Sequence, residues 1–319
     1  MIAPWLLSGL GLLILLLAGD ALVKGAVNLS LRLGVPALIV SLTIVAFGTS
    51  APELLISIKA VLDNAPGIAL GNVVGSNTAN ILLVLGIPAL LATMHTSECN
   101  TRKSYNLMIG ASVLFIALAF RGVFDWIAAI VLLAVLAYML CDQLRAARTH
   151  RSDAVCNSSD ALEDPEGADP DMPGWRIAVF LVLGLIGLPL GASLLVDNAS
   201  IIARAYGVSD TVIGLTLVAV GTSLPELATT VMAALRRQAD VALGNVIGSN
   251  LFNLLAIIGI ASLVGPIDVD PAFLRFDLWV MLGASLLLIP FVYLQRDITR
   301  GWGIALCVIY VAYLVAVLT

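Results

Sequence analysis

Long apolar stretches, separated by short polar or Gly/Pro-containing breaks, follow one another along almost the whole chain. A helix of about 20 apolar residues crosses the hydrocarbon core of a bilayer, which is about 30 Å thick. The predicted helices span residues 3–29, 36–61, 67–93, 105–120, 124–144, 175–203, 209–235, 241–264, 275–294 and 302–319. The pattern therefore predicts an all-α integral membrane protein with ten transmembrane helices.

One long hydrophilic segment, residues 145–173, interrupts this pattern. It is rich in Asp, Ser, Pro and Gly and lacks apolar periodicity, which predicts a disordered linker. The chain would then consist of a five-helix half at 1–144, the linker, and a second five-helix half at 174–319.

The composition agrees with a protein whose main surroundings are a lipid bilayer. Hydrophobic residues make up 60% of the chain and charged residues 12%, whereas a soluble domain is about a quarter charged. The net charge of -5 comes with a cluster of acids in the linker, so no nucleic-acid partner is predicted. The four cysteines are scattered, which predicts neither disulfides nor a metal cofactor. No obligate protein partner is evident.

The two halves are copies of one another. Residues 39–57 (IVSLTIVAFGTSAPELLIS) and 212–230 (VIGLTLVAVGTSLPELATT) share ten of nineteen residues. Residues 70–86 (LGNVVGSNTANILLVLG) and 243–259 (LGNVIGSNLFNLLAIIG) share ten of seventeen, at the same offset of 173 residues. Such a match at one fixed offset indicates an internal duplication.

Because each half has an odd number of helices, the second half enters the membrane from the opposite side. The halves are therefore predicted to be inverted repeats, as in many transporters. With the N-terminus outside, eleven basic residues lie at inner loops and helix ends and four at outer ones. This asymmetry predicts that both termini are outside and the acidic linker is cytoplasmic.

Two glutamates, Glu53 and Glu226, occupy the same position in the two repeats, each inside an apolar helix. A carboxylate at membrane depth is costly and usually functional, so both are candidate site residues. Lys24 is the only basic residue deep in a predicted helix. It lies four residues after Asp20 on the same helix face, which predicts that these two residues pair with each other. The glutamates are therefore expected to need a cation from elsewhere.

The sequence around each glutamate favours exposed oxygen atoms. Pro52 and Pro225 directly precede the glutamates, and proline removes a backbone donor and kinks a helix. Carbonyl groups at 46–49 and 219–222 are therefore predicted to lose helical partners, in broken helices that line a cavity. Hydroxyl groups flank both breaks, at Thr49, Ser50, Thr222 and Ser223.

A polar stripe follows on the next helix of each half. Its members recur every four residues and so share one face of an otherwise apolar helix; they are Asn72, Ser76 and Asn80, and Asn245, Ser249 and Asn253. Asn77 and Asn250 lie off the stripes, and we expect them to form hydrogen bonds between helices. Neutral oxygens combined with two carboxylates are the ligands that a hard cation such as calcium prefers.

The motifs GTSAPE with GNVVGSNTAN, and GTSLPE with GNVIGSNLFN, resemble the paired repeats of the cation/calcium exchanger superfamily. They are most similar to its prokaryotic sodium/calcium exchanger (calcium/sodium antiporter) members. The resemblance covers both halves and implies an antiporter of the cell membrane that exchanges sodium for calcium by alternating access. It implies transported calcium and sodium ions, no cofactor, and no enzymatic activity.

The resemblance also implies a set of cation ligands. Glu53 and Glu226 inherit calcium binding and a share of sodium binding from the family's motif glutamates. The further oxygen ligands would come from Thr49, Thr222, Ser50, Ser223, Ser76, Ser249, Asn80, Asn253 and the carbonyl groups of Ala46 and Ala219. Potassium-dependent relatives carry an aspartate at one of the last asparagine positions. This chain has asparagine at both, which argues against potassium dependence.

Three alternatives remain. In a calcium/proton antiporter, Glu53 and Glu226 would take up protons in place of sodium. An intramembrane hydrolase would need a nucleophile with its base or a set of metal ligands, and no such motif is present. A purely structural membrane protein would leave two buried carboxylates without a role.

Overall fold

The computed structural model describes residues 2–99, 101–156, 169–207 and 219–318. Its helices are α1 Ile2–Leu33, α2 Ala37–Thr49, α3 Ala51–Leu62, α4 Pro66–Leu91, α5 Arg102–Ala119, α6 Trp126–Cys156, α7 Gly174–Ala205, α8 Ala219–Thr222, α9 Leu224–Leu235, α10 Ala239–Val264, α11 Phe273–Val292 and α12 Arg300–Leu318. Two short strands, β1 Val123–Phe124 and β2 Ile267–Asp268, lie in loops. The predicted all-α membrane fold is thereby confirmed.

Among the described residues, seven helices are long and apolar enough to cross a membrane, and the bent pair α2 and α3 makes an eighth. The other two predicted spans correspond to α5, whose first turn is basic, and to α9. Residues 208–218, which precede α8 and α9, lie outside the described part of the chain. The total of ten spans therefore stays a prediction.

Local backbone geometry recurs at the repeat offset of 173 residues. Gly34 and Gly207 follow the ends of α1 and α7 with φ of 66° and 83°, a conformation that favours glycine. Asn64 and Arg237 end the turns after α3 and α9 with φ of 57° and 55°. A wide π turn also interrupts both α4, at Asn80–Val84, and α10, at Asn253–Ile257.

The helices α4 and α10 lie at the centre of the molecule. In their most apolar windows 78% and 89% of the residues are buried, against 22% in α7 and 17% in α12. Large apolar side chains on the outer helices, such as Leu17 and Val308, are exposed in the way that lipid-facing residues are. The polar stripes therefore lie on the two helices that are most enclosed by protein.

The long helices α1 and α7 pack against each other through glycines. A Cβ at Gly11 would lie 2.7 Å from the backbone nitrogen of Leu195, and one at Gly184 would lie 2.6 Å from Cβ of Leu22. Gly11 and Gly184 are 173 residues apart, so each half supplies an equivalent contact. In a membrane no hydrophobic driving force brings helices together, so van der Waals packing must stabilise their association. Small residues permit this packing because they let the helix backbones approach closely.

Loops of the two halves contact each other at both ends of the bundle. At one end β1 pairs with β2 in antiparallel fashion. At the other end Met94 forms an isolated bridge with Ile298, and Asp297 accepts hydrogen bonds from the amide of Ser97 and pairs with His95. Both contacts connect a loop of the first half to a loop of the second.

The structure corrects two expectations. The helix α6 continues to Cys156, so the predicted linker begins later than residue 145; alanine and arginine at 145–148 are good helix formers that need no apolar surroundings. Asp20 does pair with Lys24, at 2.9 Å. It also pairs with Arg236 at the end of α9, a partner far away in sequence.

Candidate cation site

Each candidate glutamate lies in the first turn of a helix that begins directly after a break. The helix α2 ends at Thr49, Ser50 has φ −83° and ψ 3°, and α3 begins at Ala51 with a bend of 43°. In the second half Ser223 has φ −88° and ψ 5° between α8 and α9. The predicted broken helices are therefore present, with a proline in the first turn after each break.

The loss of backbone partners is narrower than the sequence suggested. The amide of Ser50 still donates to the carbonyl oxygen of Ala46, at 3.0 Å. The prediction is wrong at this position because proline at residue 52 removes the donor for residue 48, four residues back, and leaves residue 46 its own donor. In the second half the amide of Ser223 donates to Val220 at 3.1 Å instead.

Both glutamates are buried, with exposed fractions of 1% for Glu53 and 0% for Glu226. Within the described ranges, both carboxylate oxygens of Glu53 and Oε2 of Glu226 have no hydrogen-bond partner. The remaining oxygen, Oε1 of Glu226, accepts from the hydroxyl of Ser50 at 3.4 Å. The two carboxylates are also close enough to interact electrostatically.

Two stripe asparagines hold the broken helices. Asn72 donates to the backbone oxygen of Glu53 at 3.2 Å and to Ser57 Oγ at 3.1 Å. Asn245 donates in the same way to the backbone oxygen of Glu226, at 3.3 Å, and to Thr230 Oγ1, at 3.1 Å. These two hydroxyls are not among the predicted site residues. Their recurrence four residues after each glutamate is a signal that could have found them.

The hydroxyl of Thr49 connects the first break to the polar stripe of the second half. It donates to Asn245 Oδ1 at 3.3 Å and lies 3.4 Å from Ser249 Oγ. Thr49 and Ser249 also lie beside the carboxylate of Glu226. Ser76 is buried on α4, Ala219 begins α8, and Thr222 is half-buried at the end of α8.

Asn77 and Asn250 bond between helices, as expected. The amide group of Asn77 donates to the backbone oxygen of Asn250 at 3.2 Å, and that of Asn250 donates to the backbone oxygen of Asn77 at 3.3 Å. Asn80 donates to Oδ1 of Asn250 at 3.0 Å. The equivalent residue Asn253 is completely buried, and both of its amide atoms lack a partner among the described residues.

One end of the site is tightly packed. A Cβ at Gly248 of α10 would lie 2.6 Å from Cβ of Ala46 and 2.7 Å from the backbone oxygen of Leu42. Nearby, the hydroxyl of Ser41 donates to the backbone oxygen of Val241 at 2.7 Å. At Gly75, the residue of α4 equivalent to Gly248, a Cβ would meet no described atom within 4 Å.

These features define an all-helical, multi-pass membrane protein whose enclosed centre holds two carboxylates and several neutral oxygens. The profile of the sodium/calcium exchanger protein family matches residues 3–144 and 176–319, which is almost the whole chain. The chain therefore belongs to the sodium/calcium exchanger family.

Individual proteins agree with this assignment. The sodium/calcium exchanger MaX1 of Methanosarcina acetivorans is 36% identical over 335 residues, which cover 96% of each chain. The inner membrane protein YrbG of Escherichia coli is 35% identical over 279 residues, 87% of this chain and 85% of that protein. The solved structure of the sodium-calcium exchanger NCX_Mj, soaked with sodium and strontium, has a TM-score of 0.82 and 32% identity. The match covers 100% of this chain and 99% of that one.

Proposed function

We propose that this protein is a secondary active antiporter that exchanges sodium for calcium across the cell membrane. The observation that carries the proposal is the pair of buried glutamates, Glu53 and Glu226, with three carboxylate oxygens that no described donor satisfies. A buried charge without a partner is strongly unfavourable, so this arrangement calls for a cation. Family membership makes calcium and sodium the first candidates.

The proposed ligands are oxygens that surround the two carboxylates. They are Glu53, Glu226, Thr49, Thr222, Ser50, Ser223, Ser76, Ser249, Asn80 and Asn253, with the carbonyl groups of Ala46 and Ala219. Calcium binds six to eight oxygens with flexible geometry, and a set of two charged and several neutral ligands suits it. No third His, Cys, Asp or Glu joins the glutamates within the described residues, which disfavours a site for a softer metal.

Exchange follows from the charge of the site. With both glutamates ionised the empty pocket carries about -2, and enclosing it away from water costs several kcal/mol for each ion. One calcium ion or two or more sodium ions remove this penalty. The protein would therefore close and switch its opening only when it is loaded, and inverted repeats supply two near-equivalent arrangements for alternating access.

The orientation proposed from the basic residues has both termini outside and the 145–173 segment in the cytoplasm. In that orientation the tightly packed end, near Gly248, is the cytoplasmic one, because α2 and α10 both begin there. A single cysteine added within residues 157–168 of a cysteine-free variant should resist membrane-impermeant thiol reagents in intact cells and react after lysis. Labelling of intact cells would reverse the topology.

The direct test is flux in proteoliposomes that contain the purified protein. Vesicles loaded with sodium and diluted into sodium-free buffer should take up radioactive calcium, whereas vesicles loaded with potassium should not. A protonophore should not abolish the uptake. Uptake that is driven by a pH gradient and is indifferent to sodium would establish the calcium/proton antiporter instead.

A further inference from the structure

The two asparagines that bond reciprocally, Asn77 and Asn250, are each other's equivalents in the repeat. They are separated by 173 residues, which is the repeat offset, and each donates to the backbone oxygen of the other. A residue that contacts its own copy in this way lies on the internal two-fold axis. Both side chains are 1% exposed, so this contact is at the centre of the protein.

Each of these two asparagines keeps one side-chain oxygen after its amide nitrogen has bonded across the axis. Oδ1 of Asn250 accepts from Nδ2 of Asn80 at 3.0 Å. Symmetry would place Oδ1 of Asn77 opposite Nδ2 of Asn253, but this bond is not formed. Both of those atoms are buried and lack a partner among the described residues.

The difference matters because an asparagine amide has a donor end and an acceptor end. When Asn250 holds the donor end of Asn80, the oxygen of Asn80 is the end left over, and that oxygen is buried without a partner. An oxygen fixed in this way is preorganised to face a cation. The amide of Asn253 has no described partner at either end, so nothing in this arrangement fixes its orientation.

Resting on the proposed exchange function, we infer that Asn77 and Asn250 are positioning residues that alternate between the two halves. In the arrangement described here, Asn250 orients Asn80 toward the transported cation. In the opposite-facing arrangement, Asn77 orients Asn253 in the same manner, while the bond between Asn250 and Asn80 is released. The reciprocal bonds between Asn77 and Asn250 maintain the contact at the two-fold axis in both arrangements.

The inference is tested with Asn250→Leu and its matched control Asn77→Leu. Leucine is close to asparagine in size, and each variant removes one reciprocal backbone bond. Asn250→Leu also removes the acceptor of Asn80, so it should lose more stability than Asn77→Leu. In proteoliposomes of uniform orientation, calcium half-saturation should rise about threefold to tenfold, the range of a single hydrogen bond, at one membrane face only. The two variants should affect opposite faces.

Equal changes in half-saturation at both faces for both variants, or no change in either variant, would overturn the inference. The exchange function is tested separately, by sodium-driven calcium uptake of the unaltered protein. If the leucine variants are not recovered as folded protein, Asn250→Ser and Asn77→Ser replace them, because serine is too short to bridge to the opposite asparagine. The same one-face criterion then applies. A structural role alone would lower heat stability without a difference between the faces.

Discussion

The two halves of the protein carry the same motifs and yet make different contacts. In the first half the hydroxyl of Ser50 donates to the carboxylate of Glu226, whereas the hydroxyl of its equivalent Ser223 is buried without a described partner. The backbone amides of the same two residues also bond differently, to Ala46 and to Val220. One sequence pattern therefore adopts two local arrangements within one molecule.

The same contrast extends to the helices around the site. A Cβ at Gly19 of α1 would lie 2.9 Å from the backbone oxygen of Ala228, so α1 covers α9 closely. Ala228 is 7% exposed, while its equivalent Leu55 on α3 is 69% exposed. The face of α9 that carries Ala228 is covered, and the equivalent position on α3 is exposed. The proposed alternating access would require that the two halves exchange these arrangements.

The largest expected effect tests whether the two halves share the chemistry in spite of their different contacts. Glu53→Gln and Glu226→Gln keep the side-chain shape and each removes one charge. We expect either change to abolish sodium-dependent calcium uptake in proteoliposomes, because the pocket then carries about -1 and cannot neutralise a divalent cation. Heat stability should be unchanged or slightly higher, since a buried charge is lost.

A matched control for these variants is Asp197→Asn, which removes an exposed carboxylate of α7 outside the site. It should transport calcium normally. If one glutamine variant retains near-normal exchange while the other is inactive, the two halves do not share the site, and the ligand set proposed here is wrong.

The difference in packing between the halves can be measured with alanine at equivalent glycines. Gly248→Ala should destabilise the protein by about 1–3 kcal/mol, because the added methyl group overlaps Ala46 and Leu42. Gly75→Ala should be neutral or stabilising by about 0.5–1 kcal/mol, since its Cβ meets no described atom and alanine favours helix. Thermal unfolding in detergent compares the stability of the two variants. Equal effects would mean that the surroundings of Gly248 and Gly75 are packed alike.

The ion pair between α1 and α9 is a smaller asymmetry. Asp20 pairs with Arg236 and Lys24. The repeat equivalents of Asp20 and Arg236 are Ser193 and Asp63, which cannot form such a pair. Asp20→Asn should lower the free energy of unfolding by about 1–2 kcal/mol, because two partly buried cations lose their common partner. The control Lys24→Met leaves the bond to Arg236 and should cost less. A larger loss in the control would place the stabilising contact at Lys24.

The features that repeat in the sequence were predictable, and the features that break the repeat were not. Glu53 and Glu226, the breaks before them and the central polar stripes follow from motifs that both halves share. An alignment of two equivalent asparagines cannot tell which of them forms a bond, because that choice depends on the position of one half relative to the other. Arg236 was missed as a partner of Asp20 for a related reason, since the contact joins distant segments and has no counterpart in the other half.

The smallest effect concerns the loops that join the halves at the end where Met94 and Ile298 form their bridge. Partial burial alone raises the pKa of Asp297, but the hydrogen bonds from Ser97 and the neighbouring His95 outweigh it, so the net pKa lies below the usual value. A lowered pKa in the folded state stabilises the protein above the unfolded value, about 3.9. This contribution disappears as the pH falls through the lowered pKa.

Asp297→Asn should therefore reduce stability at pH 7 by about 0.5 kcal/mol, because an amide oxygen accepts the hydrogen bond of Ser97 less strongly than a carboxylate does. The difference between the variant and the unaltered protein should shrink as the pH falls below about 4. Thermal unfolding at several pH values measures it. Asp125→Asn is the comparison at the opposite end of the bundle, where the amide of Ala128 and the side chain of Arg121 lower the pKa of Asp125. Asp125 accepts from the amides of Ile127 and Ala128 at the start of α6. Both variants should lose stability with the same pH dependence, because each replaces a carboxylate whose pKa is lowered in the folded state. A difference that persists unchanged at low pH would mean that the carboxylate charge does not stabilise the contact.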